Sequence, residues 1–385
     1  MRVPRSGHRI ARPTGPAPGE KGLAGARNHQ LDGLRGCAAA AVVVYHAILA
    51  TDPTLLSRVL SPPVHRLQDA ADLPIKAALA LANGEAAVTI FFVLSGAVLY
   101  ASLQRRPAPL SFPVRRLFRI YPALIGAVLL GAGVLAAQGN PPALGQIAAD
   151  AALLDTAVIG PAWTLQVEVL AIPFVLASAW AGKRFGPGGI VGVFLAAFLV
   201  TKIPLLAPVV ATIKSQLLPF TLGFLVATPL GAALGRRLSA GWFAAALVVV
   251  LLARHVIPGP NTALLALQLG AGLMVCALHH GHAGGFGTLL GRPTACFVGR
   301  ISYSLYLFNV PLLIAVDPLL RGSDPLLVGV PLGLLIVALT VPIAALAERW
   351  IERPGIRLGS RVAAIRFGGT PADRARPVPE ASNGL

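Results

Sequence analysis

The sequence predicts an all-α integral membrane protein: a bundle of about ten transmembrane helices with both termini in the cytoplasm. Three observations carry this reading. The residues AVILMFWYC make up 55 % of the 385 and charged residues only 12 %, about half the share usual in a soluble domain. Apolar runs near the roughly 20 residues that a bilayer crossing needs recur from end to end. Finally, the 32 Lys and Arg concentrate on alternate loops, as the positive-inside rule expects of a multi-pass chain. A mean hydropathy of +0.73 excludes an ordinary cytosolic enzyme and a nucleic-acid binder with a large wet surface. In so apolar a chain, the net charge of +17 speaks first of membrane orientation.

Residues 1–30 are rich in Pro, Gly and Arg and have no apolar run, so they read as a disordered basic tail. A cleavable signal peptide needs an apolar core followed by a small-residue cleavage site. The first apolar run starts at Leu34 and no such site follows it, so it reads as the first permanent span. The ten candidate spans are 34–50, 84–103, 120–137, 163–182, 188–204, 216–234, 241–253, 262–278, 301–320 and 326–347. The seventh is short and extends toward Ile257; residues 143–154 read as a re-entrant or interfacial helix. With the N-terminus in the cytoplasm, 25 of the 32 Lys and Arg fall inside and 7 outside. An odd span count would strand the Arg-rich C-terminal segment, 355–385, on the wrong side. The membrane domain is thus 31–354, in the inner (cytoplasmic) membrane. The cysteines, Cys37, Cys276 and Cys296, show neither a CxxC pair nor a disulfide spacing. No internal repeat of convincing period is present, which weighs against an inverted-repeat transporter.

Charge inside a span is costly and usually marks function. His46 lies in the first span, Glu85 opens the second, Glu168 begins the fourth and Asn309 sits in the ninth. Arg35 and His46 are 11 residues apart, which puts them about 20° apart around one helix with a rise of roughly 16 Å between them. Glu168 falls about 7 Å below the outer boundary, and Asn309 roughly 13 Å above Arg300, near His46 in depth. Arg116 and Arg119 share a helical face at the entrance of the third span. With Arg35 they form a candidate anion site, since guanidinium forks suit phosphate. Plainer readings stand beside these. The arginines serve as positive-inside anchors, His46 bonds a carbonyl, Glu168 pairs structurally with a buried Arg, Glu85 reaches the interface, or Asn309 is interhelical glue. His279, His280 and His282 lack the spaced Cys or Asp of a metal site and read as a polar loop; no metal is expected.

LDGLRGCAAAAVVVYH (31–46) resembles the opening of the acyltransferase-3 family of integral membrane acyltransferases. So, in the same order, do FFVLSGAVLY (91–100), RRLFRIYPA (115–123), PAWTLQVEV (161–169), VGRISYSLYLFNVPLL (298–313) and ERWIERP (348–354). The resemblance implies a ten-span bundle that moves an acyl group, commonly acetyl, from cytoplasmic acyl-CoA to a hydroxyl of a glycan or glycosylated small molecule. By position it implies roles for the Arg35–His46 pair, for Arg116 and Arg119, and for Glu168. Asn309 stands where many members carry histidine. No SGNH-type hydrolase domain follows the last span, so an acceptor route through one is not expected.

The combined expectation is that Arg35, Arg116 and Arg119 bind the phosphates of acyl-CoA and His46 acts as general base. Glu168 then orients His46 or stabilises its imidazolium, while Trp163, Tyr306 and Asn309 meet the acceptor. The alternative is a proton-coupled transporter using the same buried residues. Partners are the acyl donor, a carbohydrate or glycoside acceptor and the bilayer, with no nucleic acid.

Overall fold

The computed structural model describes residues 28–105, 109–280 and 283–367; most of the N-terminal tail, His282 and the last part of the C-terminal tail lie outside them. Among the described residues every regular element is helical. This is what a lipid-embedded chain requires, because a helix satisfies its backbone polar groups within one segment.

In chain order the α-helices are α1 His29–Thr51, α2 Asp72–Leu81, α3 Gly84–Arg105, α4 Ser111–Ala137, α5 Leu144–Ala151, α6 Trp163–Leu170 and α7 Ile172–Val200. They continue as α8 Ala207–Lys214, α9 Leu217–Val226, α10 Pro229–Gly235, α11 Ala240–Val256, α12 Pro260–His279, α13 Gly284–Leu290 and α14 Pro293–Leu320. The last two are α15 Val330–Ala347 and α16 Arg353–Phe367. Turns of π-helix, Pro325–Gly329 and Glu348–Glu352, flank α15.

By length and composition, seven helical stretches among the described residues could cross a membrane, or eight if the bent pair α9–α10 is one span. The difference from ten has three local causes. Residues 163–182 and 188–204 fall in one stretch, Gly160–Val200. Gly186 breaks that stretch with φ 64°, ψ −154°, a conformation open to a residue without a Cβ. The sixth expected span bends by 79° between α9 and α10, and the seventh, α11, has only 17 residues. The apolar stretch 143–154 contains the short helix α5.

The centre of the bundle is α1, packed between α14 and α15 with α3 beside it. Its first turn is capped by Asn28, whose side chain accepts from the amides of Gln30 and Leu31 and donates to the Leu278 carbonyl at 3.1 Å. The α1–α14 crossing is set by glycine: a Cβ on Gly36 would lie 2.8 Å from the Gly299 amide nitrogen, and one on Gly299 would lie 1.9 Å from the Asp32 carbonyl oxygen. Small residues admit such approach, and close backbones are how helices associate where lipid removes the hydrophobic drive. Beyond the far end of α1, Thr54 donates backbone and side-chain hydrogen bonds to Asp52, which hold that carboxyl below its ordinary range. The C-terminal segment is not all loose tail: α16 lies against α4, its Gly355 and Gly359 touching Phe118 and Pro122.

Candidate functional site

The site is built on α1. Ala39, Val42, Val43 and Ala47 are buried along it, and Ala38 and Val42 join the core cluster that holds Tyr306, Leu165 and Ile120. Arg35, Val42 and His46 fall within about 40° of one another around the helix axis, so the charged pair shares the face turned to that cluster. Cys37 lies about 200° from Arg35 around α1 and is exposed, away from this face. Neither the Arg35 guanidinium nor the His46 imidazole hydrogen-bonds to any described residue. The charges nearest Arg35 in effect are Arg119, Asp32, Glu352 and Glu168. Tyr45 stacks beside His46 with ring centroids 5.8 Å apart.

The helix α14 runs alongside α1 in the same direction. Starting from the Gly36–Gly299 contact, both His46 and Asn309 come after ten further residues, a rise of about 15 Å on each helix. The two residues therefore share a level. Asn309 is fully buried; its Nδ2 donates to the carbonyls of Leu305 (2.8 Å) and Tyr306 (2.7 Å), and its Oδ1 has no partner among the described residues. A buried acceptor without a donor is costly, and a ligand hydroxyl would relieve it.

The two arginines of α4 go to different carboxylates. Arg116 Nη2 lies 2.6 Å from Glu168 Oε2, and Glu168 Oε1 accepts from Ser95 Oγ at 3.0 Å. Glu168 is thus held by α4 and α3, and no hydrogen bond joins it to His46. Each carboxylate oxygen has a partner on another helix. Arg116 is correspondingly neutralised. Arg119 Nη2 stands 3.7 Å from Glu352 Oε1 with 38 % of its side chain exposed, and Ser304 Oγ donates to Glu352 Oε2 at 3.2 Å. Of the three expected phosphate ligands, Arg116 is closely paired, Arg119 is paired at longer range and more exposed, and Arg35 has no ion pair among the described residues.

Glu352 and Tyr303 complete this polar layer, and the sequence reading had not singled them out. Tyr303 donates from its hydroxyl to the Ile120 carbonyl at 2.7 Å and feels the charges of Glu352, Glu168, Arg119 and Arg116. Glu352 lies within the quoted ERWIERP string, which gave no sign that Ser304 of α14 and Arg119 of α4 enclose it.

Among the expected acceptor contacts, the Tyr306 hydroxyl is occupied. It donates to the Pro161 carbonyl at 3.0 Å and accepts from Thr164 Oγ1 at 3.2 Å, tying α14 to the start of α6. Trp163 is partly exposed, its ring 6.4 Å from Phe92. Among the described residues, no three His, Cys, Asp or Glu side chains gather as a metal site would need.

Residues 28–349 match the family model of the acyltransferase-3 type, an acyltransferase domain. The match spans the whole of the layer just described except Glu352. The chain belongs to the acyltransferase-3 family. No curated protein and no solved structure matches it. Membership of this family implies an acyl donor and an acceptor. Along α1 and α14, a guanidinium at one end and an imidazole and a carboxamide oxygen at the other are without hydrogen-bond partners among the described residues.

Proposed function

We propose that this membrane acyltransferase transfers an acyl group, acetyl in the first instance, from acyl-CoA to a hydroxyl of a glycan or glycosylated small molecule. The observation that carries the reading is a contrast between α4 and α1. Arg116 and Arg119 have carboxylate partners, whereas Arg35 and His46 are left for ligands. On this reading Arg35, assisted by Arg119, receives the phosphates of coenzyme A through charge-assisted hydrogen bonds. The pantetheine arm then runs up the α1 face, about 16 Å, to the level of His46 and Asn309.

There the His46 imidazole takes the proton from the acceptor hydroxyl as its oxygen bonds to the thioester carbonyl carbon. The tetrahedral intermediate collapses with cleavage of the carbon–sulfur bond. The coenzyme A thiolate leaves and takes up the proton from the imidazolium, so His46 ends neutral. Asn309 Oδ1 accepts a hydrogen bond from an acceptor hydroxyl and fixes its approach. Trp163, at a partly exposed position, offers a face for the sugar. Glu168 acts on Arg116 and holds the layer from which Arg35 works.

Ten spans with both tails in the cytoplasm agree with this use. The Arg35 end of α1 then faces the pool of acyl-CoA, and the alternation of Lys and Arg supports that orientation. The same count fits an inner-membrane, multi-pass placement. Purified protein incubated with [14C]acetyl-CoA and a glycan-containing extract should yield labelled acceptor. Absence of label, together with substrate flux in proteoliposomes lacking any acyl donor, would instead identify a transporter.

A further inference from the structure

Away from the α1 site, α9, α10, α11 and α12 enclose a groove of about 490 Å³. Its walls are apolar: Leu225, Leu230, Leu234, Trp242, Val249 and Leu269 among them. It is formed by the 79° bend between α9 and α10, which turns α10 away from the direction of α9. Leu230, Leu234, Trp242 and Leu269 are each about half exposed, so the groove opens onto the outer apolar surface and not into the bundle. A fixed concavity of this kind, lined by aliphatic side chains, takes an aliphatic chain.

Two arginines lie just beyond Leu234, a lining residue at one end of the groove. Arg236 and Arg237 follow directly on α10, and both are exposed with no ion pair among the described residues. Residues 169–316 contain no Asp or Glu, so any carboxylate partner would have to come from elsewhere in the chain, as Glu85 does for Arg254. Trp242, one turn into α11, stands at the same end, where amphipathic rings favour the membrane interface. This is also the end at which α1 begins. His280 lies against Gly235, and Asn28, the cap of α1, donates to the Leu278 carbonyl.

We infer that the groove binds one anionic phospholipid, with an acyl chain between α10, α11 and α12 and the phosphate against Arg236 and Arg237. A surface that is apolar in its depth and cationic beyond one end, in a stretch without acids, complements that chemistry on both counts. The inference goes beyond the acyl-transfer reading and stands or falls apart from it; it needs only that the bundle sits in a bilayer.

The test is native mass spectrometry of the full chain in detergent, titrated with palmitoyl-oleoyl phosphatidylglycerol or the matching phosphatidylcholine. Wild type should retain one phosphatidylglycerol at least tenfold in preference to phosphatidylcholine. Arg236→Gln combined with Arg237→Gln should erase the preference. Ala245→Trp, which fills the groove from an exposed position, should cut retained phosphatidylglycerol at least tenfold with the melting temperature held. If Ala245→Trp does not fold, Leu234→Trp serves the same purpose. Equal retention of the two lipids by wild type overturns the proposal. So does a groove-filled variant that binds as before, which would place the phosphate on surface arginines alone. A stable dimer whose mass excludes bound lipid overturns it as well.

Discussion

Glu168 Oε2 and Arg116 Nη2 lie 2.6 Å apart, although their helices bring them from opposite directions along the bundle. Arg116 stands near the start of α4 and Glu168 within the first turns of α6. The pair is mostly buried, with side-chain exposures of 10 % and 17 %. Removing one partner of such a pair leaves a desolvated charge uncompensated, a loss of about 3–5 kcal/mol. Arg116→Ala should therefore lower the melting temperature of the detergent-solubilised protein sharply. Glu168→Gln, which keeps a hydrogen-bond acceptor for Ser95, should lower it less. Equal melting temperatures for wild type and Arg116→Ala would place the pair's energetic weight elsewhere.

Arg35 gives the opposite expectation. It has no hydrogen-bonding partner to lose, so Arg35→Gln should leave the melting temperature in place. A charge-assisted hydrogen bond to phosphate contributes about 1.5–3 kcal/mol, so the KM for acyl-CoA should rise tenfold or more while kcat changes less. Steady-state kinetics at saturating acceptor separates the two quantities. A variant that melts early with an unchanged KM would make Arg35 structural.

Packing at the α1–α14 crossing sets the relative level of His46 and Asn309. A Cβ at position 299 would lie 1.9 Å from a backbone oxygen, which cannot yield as a side chain can. Gly299→Ala should cost at least the 1–3 kcal/mol or so typical of overpacking. It should also reduce transfer activity by separating the two helices. Thermal melting and the transfer assay, run on one preparation, check both effects.

Asn309 combines full burial with an unpartnered Oδ1. Replacing it by Leu removes that unsatisfied acceptor, and the carbonyls of Leu305 and Tyr306 that lose the Nδ2 bonds still serve as helix acceptors. Stability should hold or rise, because deleting an unmatched polar group is close to neutral. The transfer rate should fall tenfold or more, a loss that the melting curve does not share. An unchanged rate would remove Asn309 from the acceptor site.

What the sequence revealed follows from what a local pattern can carry. Arg35 and His46 were legible because two polar residues in one apolar run declare both their depth and their shared face. The helical class was legible for the same reason. The partner of Glu168 was not. Counting rise along its own helix from an outer boundary at Trp163 places Glu168 far from Arg116, yet the two are in contact. Val158 and Ile159 are buried beside Gly131, so the segment before α6 is packed into the bundle and does not run across a loop outside it. Glu352 was hidden differently: in ERWIERP it reads as one charge of a terminal cluster, and its partners, Ser304 and Arg119, come from distant helices. Gly186 and the α9–α10 bend were not legible, because there backbone geometry and not composition decides whether a helix continues.

The transfer reaction of His46→Ala is the most direct measurement of all. With labelled acetyl-CoA and acceptor supplied, and with expression and melting temperature matching wild type, transfer should drop to background. Full activity in that variant would contradict the assignment of His46 as the base on which the proposed chemistry turns.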